Sequence, residues 1–168
     1  TRHLTEKIIA LERLANLEPG DSVLDIGSND ATTLNAFTTP SLTRVGIDPI
    51  GDKFRDFYSA KMILVPEFFS EAAFRSSGAK QPRLITSIAM FYDLPDPISF
   101  VQQVSEILAD DGIWHFEQSY LPSMLKNCSY DTVCHEHLEY YSLGVVKEIL
   151  DAADMRIHCV DFNAVNGG

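Results

Sequence analysis

Short apolar runs alternate with amphipathic stretches along the chain. Runs rich in β-branched and large aliphatic residues predict buried strands at residues 23–26, 44–47, 62–65, 83–89, 113–117 and 155–162. Helical spacing of apolar residues predicts helices over the first 18 residues, after Asp30 as far as Phe37, from Pro97 to the 110–112 region and over 144–153, with a short helical or irregular segment at 53–58. Strands that alternate with helices predict an α/β fold, a doubly wound and mainly parallel sheet with helices on both faces.

The first strand runs into a polar turn. Gly27 allows a tight turn and a close approach of ligand to backbone, and the next residues, Ser28, Asn29 and Asp30, are all good helix N-caps. Free N–H groups at that helix start would face an anion such as a carboxylate. The turn has a single glycine and no lysine, so neither a dinucleotide fingerprint nor a P-loop is present.

An acid follows the second strand. Asp48 lies twenty-one residues beyond Gly27, at the carboxyl end of that strand, where it can accept both hydroxyls of a ribose. Pro49 keeps the chain extended there. A ligand with a ribose and a carboxylate but no diphosphate is predicted, and S-adenosylmethionine fits that description.

Two segments carry a resemblance to known enzymes. VLDIGSND followed by VGID resembles motif I and the ribose acid of class I S-adenosylmethionine-dependent methyltransferases, which have a Rossmann-like sheet. YDTVCHEHLEYYSL resembles the H-E-H-[L/F]-x-Y-[Y/F]-S run in the central domain of sugar C-methyltransferases of deoxysugar biosynthesis. This second resemblance implies methyl transfer from S-adenosylmethionine to a carbon next to a ketone of a nucleotide-linked deoxysugar, through an enolate.

The resemblance also implies the cofactor site. Asp25 would help orient the methionine amino group, although an acid in an apolar strand can also cap local N–H groups. Glu67 would accept from the adenine amine and Phe68 would cover one face of the ring, unless Phe68 and Phe69 are core residues. The complete set of expected cofactor residues is Asp25, Gly27, Ser28, Asn29, Asp48, Pro49, Glu67, Phe68 and Met90, the last in the loop after the fourth strand.

The segment 127–141 is dense in titratable and aromatic side chains and has no regular amphipathic period over its first half. By resemblance His137 is the base, Glu136 orients it or shares the proton, and Tyr92 and His135 are possible donors to the enolate oxygen. Cys134 stands where the family often has a tyrosine. Two alternatives stay open: a solvated acidic loop, and a metal site, which would need a further ligand from elsewhere. We expect no metal.

Composition narrows the partners. Twenty-four acids against 13 bases give a net charge of −11 without a basic cluster, which argues against nucleic acid and in favour of a small-molecule substrate. No apolar run reaches the ~20 residues of a membrane span, and no signal peptide is visible. Three cysteines without a CxxC pair are typical of a reducing cytoplasm.

We expect residues 1–168 to form one S-adenosylmethionine-binding methyltransferase domain, cut from a longer protein. The resembled family usually carries a cysteine-rich zinc-binding domain before this region and another domain after it, and the last strand of its sheet would fall beyond Gly168. The diphosphate of a nucleotide sugar would also need an arginine or lysine close to it, so we expect part of the substrate site to lie outside this acidic chain. Two other functions stay open: an O-methyltransferase in which His137 deprotonates a hydroxyl, and a module that binds S-adenosylmethionine without turnover.

Overall fold

The computed structural model describes residues 2–131 and 133–163. Five strands form one sheet in the order β3-β2-β1-β4-β5. They are β1 Ser22–Ile26, β2 Thr43–Ile47, β3 Met62–Val65, β4 Leu84–Ile88 and β5 Ile113–Glu117. β1 pairs in parallel with both β2 and β4, and β2 pairs in parallel with β3. The chain therefore reverses its direction of winding at β1, and the predicted doubly wound α/β fold is confirmed.

Six helices occur among the described residues: α1 Arg2–Leu14, α2 Thr32–Asn35, α3 Glu71–Ser76, α4 Pro97–Ile107, α5 Leu121–Asn127 and α6 Leu143–Asp151. Short 3-10 helices span Gly51–Phe57 and Phe91–Asp93. Serine hydroxyls cap two helix starts, because Ser70 accepts from Ala73 N at 3.0 Å and Ser142 accepts from Val145 N at 3.4 Å.

The chain divides into two compact units. One runs to Ser87 and includes Glu106–His115; the other comprises Ile88–Ser105 and the described residues from Phe116 onward. In the first unit, the apolar face of α1 packs with β1, α2 and β4. Its buried residues include Ile8, Leu11, Val23, Leu34 and Leu84. The second unit is centred on Phe91, whose ring lies 5.1 Å from Phe116, 5.5 Å from Tyr141 and 6.0 Å from Phe100.

The helix predicted as far as Phe37 is much shorter. α2 ends at Asn35, and Arg44 of β2 donates to the carbonyl oxygens of Leu34 and Phe37 at 3.2 and 3.0 Å. These carbonyls are therefore satisfied without another helical turn. The prediction failed because the partner comes from the next strand rather than from the helix itself.

The strand predicted at 155–162 is wrong. Residues 155–163 form neither helix nor strand, and most of their side chains are exposed. Alternating apolar residues favour an extended chain, but a strand also needs the backbone hydrogen bonds of a neighbouring strand. Among the described residues, no strand pairs with this segment.

Candidate functional site

The turn after β1 has the tight geometry that its glycine predicted. Gly27 has φ +75°, and its N–H donates to the carbonyl oxygen of Ile47 at 2.9 Å. Asn29 and Ala31 also have positive φ, at 43° and 58°. The three left-handed residues turn the chain sharply between the carboxyl ends of β1 and β2, with α2 beginning at Thr32.

Asp48 holds this turn to the end of β2. Its side chain is only 6% exposed; Oδ2 accepts from Asn29 N at 2.9 Å and Oδ1 accepts from Ile50 N at 2.8 Å. A carboxylate oxygen has two acceptor positions, so each oxygen keeps one for a ligand hydroxyl. The Asn29 N–H is thus already hydrogen-bonded to Asp48, and the Thr32 N–H donates to Asp30 Oδ1 at 3.0 Å. The expected free N–H groups are in part already used by the chain.

Tyr58 also holds the turn in place, through two hydrogen bonds. Its hydroxyl donates to the carbonyl oxygen of Asn29 at 2.9 Å and lies 2.8 Å from Ser28 Oγ. Because the phenol has a single proton, Ser28 is the donor in that second bond. Ser28 is buried, and so its hydroxyl is committed to Tyr58. Burial raises the pKa of Tyr58, which keeps the phenol a donor.

Gly46 in β2 makes room for these two side chains. A Cβ at this position would lie 2.7 Å from Ser28 Oγ and 2.9 Å from Tyr58 Cε1. Sequence reasoning did not assign a role to Gly46 or Tyr58. A glycine inside an otherwise β-branched strand indicates a close approach, and it could have revealed the contact.

Asp25 is a buried acid directly below the turn. It is 3% exposed and accepts from Thr86 Oγ1 at 2.6 Å, with Thr33 as a second hydroxyl partner. Burial raises the pKa of Asp25 to about 7, and the nearby Asp48 acts in the same direction. The predicted need for a partner is met by two threonines. Their position on β4 and α2 could not be read from the local sequence.

The carboxyl ends of β2 and β3 carry exposed apolar side chains. Phe68 is 81% exposed, which excludes the alternative that it is a core residue, and Ile50 is 46% exposed. Glu67 is also exposed, and its N–H donates to the carbonyl oxygen of Val65 at 2.9 Å. Pro49 separates Asp48 from Ile50. An exposed aromatic ring, an acid and an aliphatic side chain are groups that can contact a purine.

In the second unit, the loop after β4 anchors the H-E-H segment. The carbonyl oxygen of Tyr92 accepts from Leu138 N at 3.1 Å and Glu139 N at 3.0 Å. The Tyr92 ring packs against the His137 ring at a centroid distance of 4.3 Å. Met90 begins this loop and is partly buried. The contacts of this loop therefore bring together two of the predicted catalytic residues, Tyr92 and His137.

The three residues of H-E-H have different environments. His137 is partly buried between Tyr92 and Tyr140, whose ring centroid lies 6.4 Å away. The side chains of His135 and Glu136 are 91% and 75% exposed, with Nε2 and Oε1 at 3.9 Å. The solvated-loop alternative therefore describes His135 and Glu136 but not His137.

The pKa of Asp93, which follows Tyr92 in the chain, is influenced by His137 and Glu136. Burial raises the pKa of Asp93, Glu136 raises it further, and His137 opposes both.

In residues 2–131 and 133–163, no three His, Cys, Asp or Glu side chains are arranged to hold a metal ion. Across the same residues, no helix has both the length and the apolar character needed to cross a membrane.

Comparison with known sequences identifies relatives over nearly the whole chain. A family model described as a methyltransferase domain matches residues 2–160. C-methyltransferase NovU of Streptomyces niveus is 30% identical over 162 residues, which cover 95% of this chain and 38% of NovU. The chain thus spans well under half the length of this curated relative.

Solved structures share the fold at lower identity. YcgJ protein from Bacillus subtilis superposes with a TM-score of 0.67 at 17% identity, over 91% of this chain and 68% of its own. The plantazolicin methyltransferase BpumL, in complex with a triazolic desmethylPZN analog and SAH, superposes with a TM-score of 0.64 at 16% identity, over 88% of this chain and 60% of its own.

Proposed function

Because the chain belongs to the methyltransferase domain family, we propose that it methylates a carbon next to the ketone of a nucleotide-linked deoxysugar. S-adenosylmethionine is the methyl donor. The finer reaction rests chiefly on one observation, the packing of a partly buried His137 against Tyr92 in the segment that resembles sugar C-methyltransferases. The similarity to a C-methyltransferase over 95% of the chain supports it.

The residues at the carboxyl ends of β1 to β3 fit the methyl donor. Asp48 keeps two acceptor positions for ribose hydroxyls, and Phe68 and Ile50 present exposed apolar surface for the adenine. Gly27, Ser28 and Asn29 form the turn, and Asp25 would complement the methionine amino group once its proton is lost. Glu67, Pro49 and Met90 complete the proposed cofactor residues.

Carbon methylation needs a base and a donor. Removing the proton next to a ketone leaves an electron pair that delocalises onto the carbonyl oxygen, so the site must accept a proton at one point and donate a hydrogen bond at another. We assign proton removal to His137 and donation to the Tyr92 hydroxyl. Bound S-adenosylmethionine supplies a methyl group on a sulfonium, which is electrophilic without further activation.

The exposed members of H-E-H have secondary roles in this proposal. Glu136 shares the proton with His137 or holds its orientation, and His135 is a second possible donor to the enolate oxygen. Both side chains are exposed, so neither is positioned by packing in the way that His137 is. We therefore expect His137 to matter most for turnover.

The first test compares His137→Ala with His135→Ala in the full-length protein. Turnover of nucleotide-linked keto-deoxysugars is followed by mass spectrometry, and affinity for S-adenosylmethionine by calorimetry. We expect His137→Ala to lower turnover by at least about a hundredfold, in the usual range for a general base, with cofactor affinity within a few fold of wild type. His135→Ala should lower turnover less.

Three outcomes would contradict the assignment. Loss of cofactor binding in His137→Ala would make that residue part of the cofactor site. Methylation of a substrate oxygen would favour the O-methyltransferase. Cofactor binding without turnover of any keto-deoxysugar by the full-length protein would favour a binding module.

A further inference from the structure

Two aromatic rings contact the imidazole of His137, and the function proposed above uses only one of them. The Tyr92 ring centroid lies 4.3 Å from that of His137, with 51° between the ring planes. The Tyr140 ring centroid lies 6.4 Å away, at 60° and in an edge-to-face arrangement. An aromatic pair at this second distance and angle is attractive. The proposed base therefore has a second aromatic neighbour, Tyr140.

The chain on both sides of Tyr140 is held by backbone hydrogen bonds. Before it, Leu138 N donates to the carbonyl oxygen of Tyr92 at 3.1 Å. After it, the carbonyl oxygen of Tyr141 accepts from Leu121 N, at the start of α5, at 3.0 Å. Tyr141 is also only 5% exposed. Tyr140 is thus fixed between two anchored points, one on the loop after β4 and one on α5.

His137 lies at the edge of this anchored stretch, next to the exposed side chains of His135 and Glu136. An imidazole in such a place can change its rotamer unless its neighbours prevent it. The rings of Tyr92 and Tyr140 are inclined to the imidazole by different angles, so a turn of the imidazole disturbs both contacts. The two rings together therefore restrict the orientation of the base.

The ring distances distinguish positioning from charge stabilisation. His137 becomes positively charged when it accepts a proton, and the face of an aromatic ring stabilises a cation within about 6 Å of its centroid. Tyr92, at 4.3 Å, is inside that limit. Tyr140, at 6.4 Å and in an edge-to-face arrangement, is outside it. The contribution of Tyr140 is therefore to the orientation of the base rather than to its charge.

We propose that Tyr140 is a positioning residue, whose ring holds the imidazole of His137 in the orientation that removes the substrate proton. The inference rests on the proposed function and adds a residue that acts through its base. Proton transfer depends steeply on the placement of the base, and a misplacement of about 1 Å can lower the rate about a hundredfold. Loss of the ring should therefore lower turnover and leave the binding of substrate and cofactor nearly unchanged.

The test compares Tyr140→Leu with Tyr140→Phe in the full-length protein. Turnover of a nucleotide-linked keto-deoxysugar is followed by mass spectrometry, and affinity for S-adenosylmethionine by calorimetry. We expect Tyr140→Leu to lower kcat at least about tenfold, with KM and cofactor affinity within about threefold of wild type. Tyr140→Phe, which keeps the ring, should recover most of the lost kcat. Tyr130→Leu is the matched control, because Tyr130 lines a cavity beside α5 together with Tyr140 and is 77% exposed.

Four outcomes of these assays would overturn the role of Tyr140. An unchanged kcat in Tyr140→Leu would show that the base needs no second ring. An equal loss of kcat in Tyr140→Phe would assign the effect to the hydroxyl group. An equal loss in Tyr130→Leu would assign it to the cavity wall, and a parallel loss of cofactor affinity in Tyr140→Leu would make the role a general structural one.

NMR of the imidazole protons separates this proposal from the proposed function, because it needs neither cofactor nor turnover. The wild type should show nuclear Overhauser effects between the Tyr140 ring and His137. The His137 signals should move in Tyr140→Leu and stay close to their wild-type positions in Tyr140→Phe. These results without methylation of any keto-deoxysugar would contradict the proposed function, whereas methylation by a protein that lacks the contact would contradict the role of Tyr140.

Discussion

Replacing Asp25 with asparagine should make the protein more stable at neutral pH than the wild type is. The carboxyl group is buried under the glycine turn, and the hydroxyls of Thr86 and Thr33 are its partners. No cation is among the influences on it, and the nearby Asp48 disfavours its charge. Asparagine has a similar shape and can still accept from Thr86, but it never becomes charged.

The size of the effect follows from proton linkage. The ordinary pKa of this side chain is 3.8, and burial raises it to about 7. Between these values the unfolded chain releases the proton while the folded chain keeps it, so stability falls as pH rises. The slope is about 1.4 kcal/mol for each pH unit. The decrease between about pH 5 and pH 8 is therefore about 3 kcal/mol, and it ends once the folded chain also ionises near pH 7.

Urea unfolding can measure this difference. Trp114 is the single tryptophan, and its indole N–H donates to Ser87 Oγ at 2.9 Å, within the same unit as Asp25. Its fluorescence therefore reports on the unit that contains the acid. Asp56→Asn is the matched control, because Asp56 is exposed in the same unit.

The expected result is a relative one. From about pH 5 to pH 8, the wild type should lose about 3 kcal/mol of stability relative to Asp25→Asn and almost none relative to Asp56→Asn. A loss below about 1 kcal/mol, or a gain, would refute the reasoning. Either result would mean that the folded chain stabilises the ionised carboxylate.

Three further changes test individual contacts, two of them at the turn of the site and one at Glu12 of α1, which accepts from Thr38 N and Thr39 N. Tyr58→Phe leaves the Ser28 hydroxyl without its acceptor. It should lower the free energy of unfolding in urea by about 1 kcal/mol and weaken S-adenosylmethionine binding several-fold in calorimetry. Unchanged affinity would argue against a role of Tyr58 in holding the turn. Gly46→Ala forces a Cβ to 2.7 Å from Ser28 Oγ, and it should lower stability by about 1–3 kcal/mol, whereas Gly20→Ala, with nothing within 4 Å, should show only the cost of its positive φ. Glu12 is buried, which opposes ionisation, but hydrogen bonds from Thr38 and Thr39 outweigh burial and hold its pKa below the ordinary value of 4.5. Glu12→Gln should therefore lower the free energy of unfolding by about 1–2 kcal/mol near neutral pH, and this difference should vanish as pH falls through the lowered pKa. A difference that persists in acid would contradict the lowered pKa of Glu12.

The sequence predicted those features of the fold that depend on local pattern. The five paired strands lie where apolar runs occur, because a buried parallel strand needs apolar side chains on both faces. The turn at Gly27 and the acid at Asp48 follow from the strand-turn-helix order, since their places are set by the ends of neighbouring strands. These predictions need no knowledge of distant contacts.

The partners of the site residues depend on tertiary contacts and could not be predicted. Thr86 is sixty-one positions from Asp25, and Tyr58 is thirty from Ser28. The packing of Tyr92 on His137 likewise joins two loops that are remote in sequence. The segment 155–162 failed for a related reason, because its alternating pattern predicted a strand without showing whether a neighbour would pair with it.

The transferred methyl group itself gives the most direct test of carbon methylation. S-adenosylmethionine labelled with ¹³C in its methyl group is incubated with the full-length protein and a nucleotide-linked keto-deoxysugar, and the product is examined by ¹³C NMR. We predict a labelled methyl signal at the chemical shift of a methyl group on carbon, whose protons show a multiple-bond correlation to the ring carbon next to the ketone. A labelled methoxy signal would contradict the proposed reaction.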